Sequence, residues 1–236
     1  MTELLFREDG YRRCCAARVT GADGHGIRLD RTVFYPAGGG QPGDSGVLRL
    51  ASGGEIPILD TVKGETPDAV VHVPAPGAAM PAPGTEVTAE IDWERRHRLM
   101  RMHTCLHLLC SIVPGSVTGG QVGDGRGRLD FDVPGSSLDK AALAAGLNAL
   151  IAAGHSVGRR WISDDELAAE PSLVRTMSVK PPIGTGRVRL IEIAGVDLQP
   201  CGGTHVRNTA EIGPVAVTKI ENKGRQNRRV IVAFAE

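Results

Sequence analysis

Asp92-Trp93-Glu94-Arg95-Arg96-His97-Arg98-Leu99-Met100-Arg101-Met102-His103-Thr104-Cys105-Leu106-His107-Leu108-Leu109-Cys110 is the stretch where the texture of this 236-residue chain changes. Asp92 is a helix-capping residue type, and residues 93–110 hold neither glycine nor proline, which predicts the first long helix. Upstream the pattern is short. Runs at 17–19, 26–29, 47–50 and 69–73 stand between Gly, Pro and Asp clusters and predict four to six strands in a small barrel or compact β domain. The segment 74–84, richest in Pro and Gly, reads as a surface loop between two strands.

Downstream, Leu138, Ala142, Ala145, Leu147, Leu150 and Ile151 recur at helical spacing, which predicts a second helix over 137–153 with Gly154 as its stop. Residues 119–127 read as a Gly-rich loop, and 128–133, 159–162, 186–193, 213–220 and 228–234 as strands. The fold class that follows is α+β: an N-terminal small β-barrel-like domain over 1–91, then an α/β domain over 92–236 with helices packed on a mainly antiparallel sheet.

Lys+Arg 27 balances Asp+Glu 27, with 41% hydrophobic and 23% charged residues, so the chain is neither disordered nor a highly charged polymer binder. Any nucleic-acid contact must use local patches. The start MTELLFREDG carries charges where a signal peptide has its apolar run, and nothing approaches 18 consecutive apolar residues. A cytoplasmic protein without membrane contact is the expectation. Five cysteines form an odd set, and the adjacent Cys14 and Cys15 point to opposite faces of a strand, so reduced thiols are expected.

His103 and His107 stand at i and i+4 on the helix, about 40° apart around the axis and about 6 Å along it, so both can reach one cation. Cys105 faces elsewhere, about 200° from His103. A better partner pair is Cys201-Gly202-Gly203-Thr204-His205, where two glycines let the backbone turn tightly between a thiol and an imidazole. Three histidines and a cysteine suit Zn2+. Each pair alone is more often a set of ordinary structural residues and only the two together point to a site, while His72, His97 and His155 stand alone. Thr104 occupies the place where a zinc protease carries its general-base Glu, which disfavours peptide hydrolysis.

Two further features need a reading. Residues 34–46 contain three consecutive glycines that allow close backbone approach to a ligand, or simply form a turn between strands. Basic residues cluster at Arg95, Arg96, Arg98 and Arg101 and again at Lys219, Lys223, Arg225, Arg228 and Arg229. These are phosphate contacts or a solvated charged face, and 3% aromatics offers no obvious stacking platform for bases.

YPAGGGQPGDSG at 35–46, ERRHRLMRMHTCLHLL at 94–109, DLQPCGGTHV at 197–206 and KIENKGRQNRR at 219–229, in this order, resemble the AlaX family of trans-editing proteins. These are freestanding relatives of the editing domain of alanyl-tRNA synthetase, and the length looks like the medium-length branch. The resemblance implies an N-terminal β domain and an α/β editing domain. It implies hydrolysis of misacylated tRNA(Ala), chiefly the seryl form with the glycyl form second, sparing alanyl-tRNA(Ala).

It also implies Zn2+ on His103, His107, Cys201 and His205, and an amino-acid pocket formed by Thr104 with Gly38, Gly39, Gly40 and Gln41. Serine adds one hydroxyl to alanine, and a buried polar group that must bond that hydroxyl rejects alanine by being left unpaired. Thr104 is the first candidate and Gln41 the second, with Gln199 lining the pocket. The C-terminal cations would contact tRNA. Cys105 stands where the family more often has alanine, a packing change. No P-loop appears, the chain is too short for an aminoacylation module beside these regions, and no obligatory protein partner is expected. A zinc hydrolase of a small ester and a non-catalytic zinc-containing RNA-binding module are the competing readings.

Overall fold

The computed structural model describes residues 2–66, 68–133, 138–174 and 186–235. The chain divides into two compact units, Met1–His97 and Arg98–Glu236. In the first, β1 (Glu3–Leu4) pairs in parallel with β4 (Arg31–Thr32). The strands β2 (Cys14–Asp23), β3 (Gly26–Leu29), β5 (Gly46–Leu50), β6 (Glu55–Lys63), β7 (Val70–Pro74) and β8 (Glu86–Ile91) close into a barrel in the order β2-β3-β7-β6-β5-β8. Closure removes the exposed edges that so short a set of strands would otherwise present.

The alternation along β2 puts Cys15, Ala17 and Val19 inside and Cys14 outside, and the interior is completed by Ile27, Leu29, Phe34, Leu48, Ile58 and Ala89. The Pro- and Gly-rich segment joins β7 to β8 as a connecting loop.

His72 of β7 is fully buried in this unit, edge-on to the Phe34 ring. Its Nδ1–H donates to the Ile27 carbonyl at 3.0 Å, and its Nε2 faces the Thr32 hydroxyl at 2.8 Å. A carbonyl only accepts, so Nδ1 carries the proton and Nε2 accepts from Thr32, whose oxygen accepts in turn from the Phe34 N–H. Both ring nitrogens are thus satisfied in the neutral form.

The helix predicted from the Asp92 stretch is α1 (Trp93–Ile112), with the Asp92 carboxylate accepting from Arg95 N–H. From Leu99 to Cys110 nearly every α1 residue is buried, so the helix is sealed on all sides through the second unit. Here β9 (Ser116–Val122), β10 (Arg126–Asp132), α2 (Lys140–Ala152), β11 (Val157–Ile162), α3 (Asp164–Ala169), β12 (Val188–Ile193), β13 (Asp197–Pro200), β14 (Val215–Asn222) and β15 (Asn227–Phe234) follow. They form an antiparallel sheet ordered β14-β15-β10-β9 and a second one ordered β11-β12-β13.

One expectation needs correcting. Only 123–125 form a turn; 119–122 and 126–127 lie in the two arms of the β9–β10 hairpin, with Gly120 paired to Leu129 and Gly127 to Val122. The glycines serve close packing: a Cβ on Gly127 would stand 2.9 Å from the Met102 side chain of α1. The capped helix α3 is too short to show a period, although Ser163-Asp164-Asp165-Glu166 carries its capping box. The expected start of the second helix at Ser137 lies outside the described residues; Asp139 caps the helix seen, its carboxylate accepting from Ala141 and Ala142 N–H. That helix docks on β14 through Asn148, which bonds both the N–H and the carbonyl of Val215. Among the described residues no helix is long and apolar enough to cross a membrane.

Burial holds His72 at about 4, below the usual 6.5. Between these values the unfolded chain binds the extra proton, so stability is full above about pH 6.5 and falls as pH drops toward 4, by roughly 3 kcal/mol in all. Urea unfolding of wild type and His72→Gln from pH 7.5 to 4 should show this extra loss only in wild type; parallel profiles would refute it.

Candidate functional site

Because α1 is buried around its whole circumference, His103 and His107 lie in the interior, their ring centroids 5.4 Å apart. The β12–β13 hairpin delivers Cys201 to the same place. Arg189 of β12 donates from Nη1 to the carbonyls of Cys201 (3.0 Å) and Gly203 (2.7 Å), which holds the Gly-rich segment folded. Gly203 N–H points at Cys201 Sγ, and the turn returns His205, whose centroid is 4.3 Å from His103 and 4.6 Å from His107. Cys201 Sγ lies 3.5 Å from His103 Nε2 and 3.3 Å from His205 Nε2. One donor atom from each of the four lies within 4.8 Å of the others.

The side chains behind these donors decide how they face. His107 Nδ1 bonds Asp197 Oδ2 at 3.0 Å, and the Gln199 amide nitrogen donates to that same oxygen at 2.7 Å while lying 3.0 Å from His107 Nδ1. His205 Nδ1 faces Thr104 Oγ1 at 3.1 Å, and Thr104 Oγ1 accepts from Val206 N–H at 3.3 Å. With Nδ1 engaged, His107 and His205 present Nε2 to the cluster.

The electrostatics agree with a site for a cation. Burial opposes ionisation of the Cys201 thiol, yet His103 and His205 outweigh it and hold the thiol well below its ordinary value. Burial also disfavours charge on His107, but Asp197 and Cys201 reverse this and raise it to about 9. His205 is pushed well below its usual value by burial and by the charge of His103. Thiolate and imidazole gathered without an oxygen donor can hold a metal ion, and the residues fit that role. Cys105 is fully buried, is not one of the four clustered donors and has its thiol pushed up to about 12 by burial, as a packing residue would.

The other residues singled out by the sequence have these places. Gly38 and Gln41 exchange both backbone hydrogen bonds at 3.0 Å, with Gly39 and Gly40 at φ 58° and 82° between them, a tight turn that needs left-handed backbone at both centres. Tyr35 Oη donates to the Gly38 carbonyl, and Gln41 is buried in this loop of the barrel unit. Thr104 and Gln199 are buried at the metal-donor cluster. Among the C-terminal cations, Lys219 and Lys223 both hold Glu221, Arg229 takes Asp130 through Nε and Nη2 at 2.7 and 2.8 Å, Arg228 bonds the Gly224 carbonyl, and Arg225 is exposed.

The first arginine cluster bonds largely within the fold. Arg96 is wholly buried and gives its guanidinium to Asp44 and to the Gly10 and Val33 carbonyls; Arg95 bonds the Gly43 carbonyl, Arg98 pairs with Asp124, and Arg101 bonds the Ile212 carbonyl. Asp197 is the residue that sequence reasoning missed. The signal was strand alternation in Asp197-Leu198-Gln199-Pro200-Cys201, which puts an acid, an amide and a thiol on one face.

Residues 188–231 match the family profile described as threonyl and alanyl tRNA synthetase second additional domain, and residues 11–95 that of class II (A) tRNA synthetases. The chain is 36% identical over 241 residues to the alanyl-tRNA editing protein AlaX-M of Methanosarcina acetivorans, covering 98% of each chain. It is 32% identical over 234 residues to the AlaX-M protein of Saccharolobus solfataricus, again covering 98% of each. To the alanine–tRNA ligase of Pyrobaculum neutrophilum it is 35% identical over 236 residues, 93% of this chain and 25% of the ligase.

If Asp197 fixes His107 for a metal, Asp197→Asn should weaken Zn2+ binding by roughly 10- to 100-fold in a chelator competition. Unchanged affinity in a folded variant would remove Asp197 from the site.

Proposed function

The chain belongs to the AlaX-M family of alanyl-tRNA editing proteins, and on that premise we propose that it hydrolyses the ester of misacylated tRNA(Ala). The seryl form is the chief substrate, the glycyl form the second candidate, and alanyl-tRNA(Ala) is spared. The observation that carries the reading is the quartet His103, His107, Cys201 and His205, three buried imidazoles and a half-buried thiol whose donor atoms lie within 4.8 Å of one another. These four side chains would hold Zn2+. With one of the four swung aside to open a position, zinc would supply Lewis acidity and bring the pKa of a water from 15.7 to about 7, enough for attack on an activated ester.

The chain's own residues set the conditions. Asp197 and Thr104 orient His107 and His205 through Nδ1, and Arg189 keeps the Cys201 carbonyl side of the turn in place. Discrimination rests on the added hydroxyl of serine: a buried polar group built to bond it is left unpaired by alanine. Thr104, whose hydroxyl sits on His205, is the first residue for this role and Gln41 the second. In this reading Gly38, Gly39 and Gly40 give backbone N–H groups to substrate, with Gln199 helping to shape the pocket. Lys219, Lys223, Arg225, Arg228 and Arg229 bind tRNA, in the cytoplasm. The barrel domain, 1–91, carries the glycine loop, and the editing domain, 92–236, carries the metal.

Deacylation of Ser-, Gly- and Ala-tRNA(Ala) side by side tests this, with zinc content measured on the same samples. Wild type should hydrolyse the seryl ester and leave the alanyl ester, and Cys201→Ala should lose zinc and at least about 100-fold of the rate. A zinc-loaded wild type that hydrolyses no misacylated form selectively would overturn the proposal.

A further inference from the structure

Strand register extends the metal-donor cluster sideways to an arginine–tryptophan pair that belongs to neither basic cluster. Trp161 of β11 stands opposite Arg189 of β12, and the Arg189 carbonyl accepts from Cys201 N–H at 3.1 Å. Trp161, Arg189 and Cys201 therefore form one row across the three-stranded sheet. Adjacent strands are about 4.8 Å apart, so the Trp161 backbone is about 10 Å from that of Cys201.

Register partners share a face of a sheet, as do residues two apart on one strand. The rows Ile191–Gln199 and Ile193–Asp197 have the same parity, which puts Gln199 and Asp197, the side chains against His107, on the face of Trp161. Arg159 lies on that face too, two residues before Trp161, and Arg187 immediately precedes β12. Arg160 has the opposite parity. The Arg187 guanidinium lies over the Trp161 ring, 4.4 Å from its centroid. Arg159 and Arg187 are exposed and the indole is half-buried. The other tryptophan, Trp93, stacks on His97 under Arg13 in the barrel unit.

We propose that Trp161 and Arg187 form a stacking platform for a base of the single-stranded 3′ end of the aminoacylated RNA, with Arg159 beside it on a backbone phosphate. This rests on the deacylation reading, since an aminoacyl ester sits on the 3′-terminal ribose and any hydrolytic centre must receive that end of the strand. Bases stack on aromatic rings and on guanidinium planes without needing a particular sequence. The cation over the ring adds attraction for the backbone that follows. The row from Trp161 to Cys201 then gives the strand a charged, one-faced track to the metal-donor cluster.

The test uses a hairpin RNA of the tRNA(Ala) acceptor stem ending in a single-stranded ACCA, and a blunt hairpin without it. In a Trp93→Phe background the overhang hairpin should quench Trp161 fluorescence and the blunt one should not. Trp161→Ala should raise Kd for the overhang hairpin roughly tenfold or more and leave the blunt one alone; Trp161→Phe should recover most of the loss, and Arg187→Ala should weaken binding in the same direction. In steady state the Ala variant should raise KM with kcat within about twofold.

Equal overhang affinity of wild type and Trp161→Ala, or unquenched Trp161, would overturn the platform. Wild-type deacylation with an unchanged KM in Trp161→Ala would remove the platform and leave hydrolysis standing. Trp161-dependent overhang binding by a protein that cleaves no ester would keep the platform and remove the hydrolysis.

Discussion

Three imidazoles cannot be buried against a half-buried thiol without partners, because an unbonded polar group in the interior costs several kcal/mol and an isolated charge costs more. This constraint organises the second unit. The all-round burial of α1 takes His103 and His107 out of water, so His107 must find Asp197 behind it and His205 must find Thr104. His107 and His205 then each have one nitrogen anchored and the other turned toward the cluster. The β12–β13 hairpin has to keep its register, since the Asp197, Gln199 and Cys201 face and the Arg189 grip on the turn both depend on it. A cation shared by the four donors satisfies what the protein alone leaves over, which is the physical reason to read the cluster as a metal centre.

The barrel unit solves the same problem in two other ways. Arg96 is buried as a charge, with Asp44 and two backbone carbonyls taking its donors, and leaving either member of such a pair alone costs about 3–5 kcal/mol. His72 is buried as a neutral ring between the Ile27 carbonyl and the Thr32 hydroxyl. Asp44 also accepts from Tyr35 N–H, and Thr61 donates to the Asp44 carbonyl, so the glycine turn at 38–41 stands on a rigid base. Two left-handed glycines between backbone pairs make that turn a fixed shape instead of a slack loop.

Much of this was legible in the sequence where a local rule has a fixed spacing. The i, i+4 histidines, the Cys-Gly-Gly-Thr-His turn, the strand alternation around Cys14 and Cys15, and the capped, Gly-free α1 all follow from geometry within a few residues. What sequence could not give depends on partners far along the chain. Arg96 reads like its exposed neighbours until the fold brings Asp44 to it, 52 residues away. Residues 119–127 read as a loop partly because the reason for Gly127, close packing on Met102, lies on another element. Asp197 is one acid among 27 until His107 is placed against it. The pairing of Trp161 with Arg187 needs the hairpin register, which no spacing prints.

A metal ion on the cluster would have three nitrogens and one sulfur as its protein ligands. X-ray absorption at the zinc edge on protein purified without added metal addresses it directly. The account predicts zinc at about one ion per chain, with one sulfur at about 2.3 Å and nitrogen neighbours at about 2.0–2.1 Å, the sulfur vanishing in Cys201→Ser. Zinc bound in a shell of oxygen alone, or a sulfur signal that survives Cys201→Ser, would contradict it.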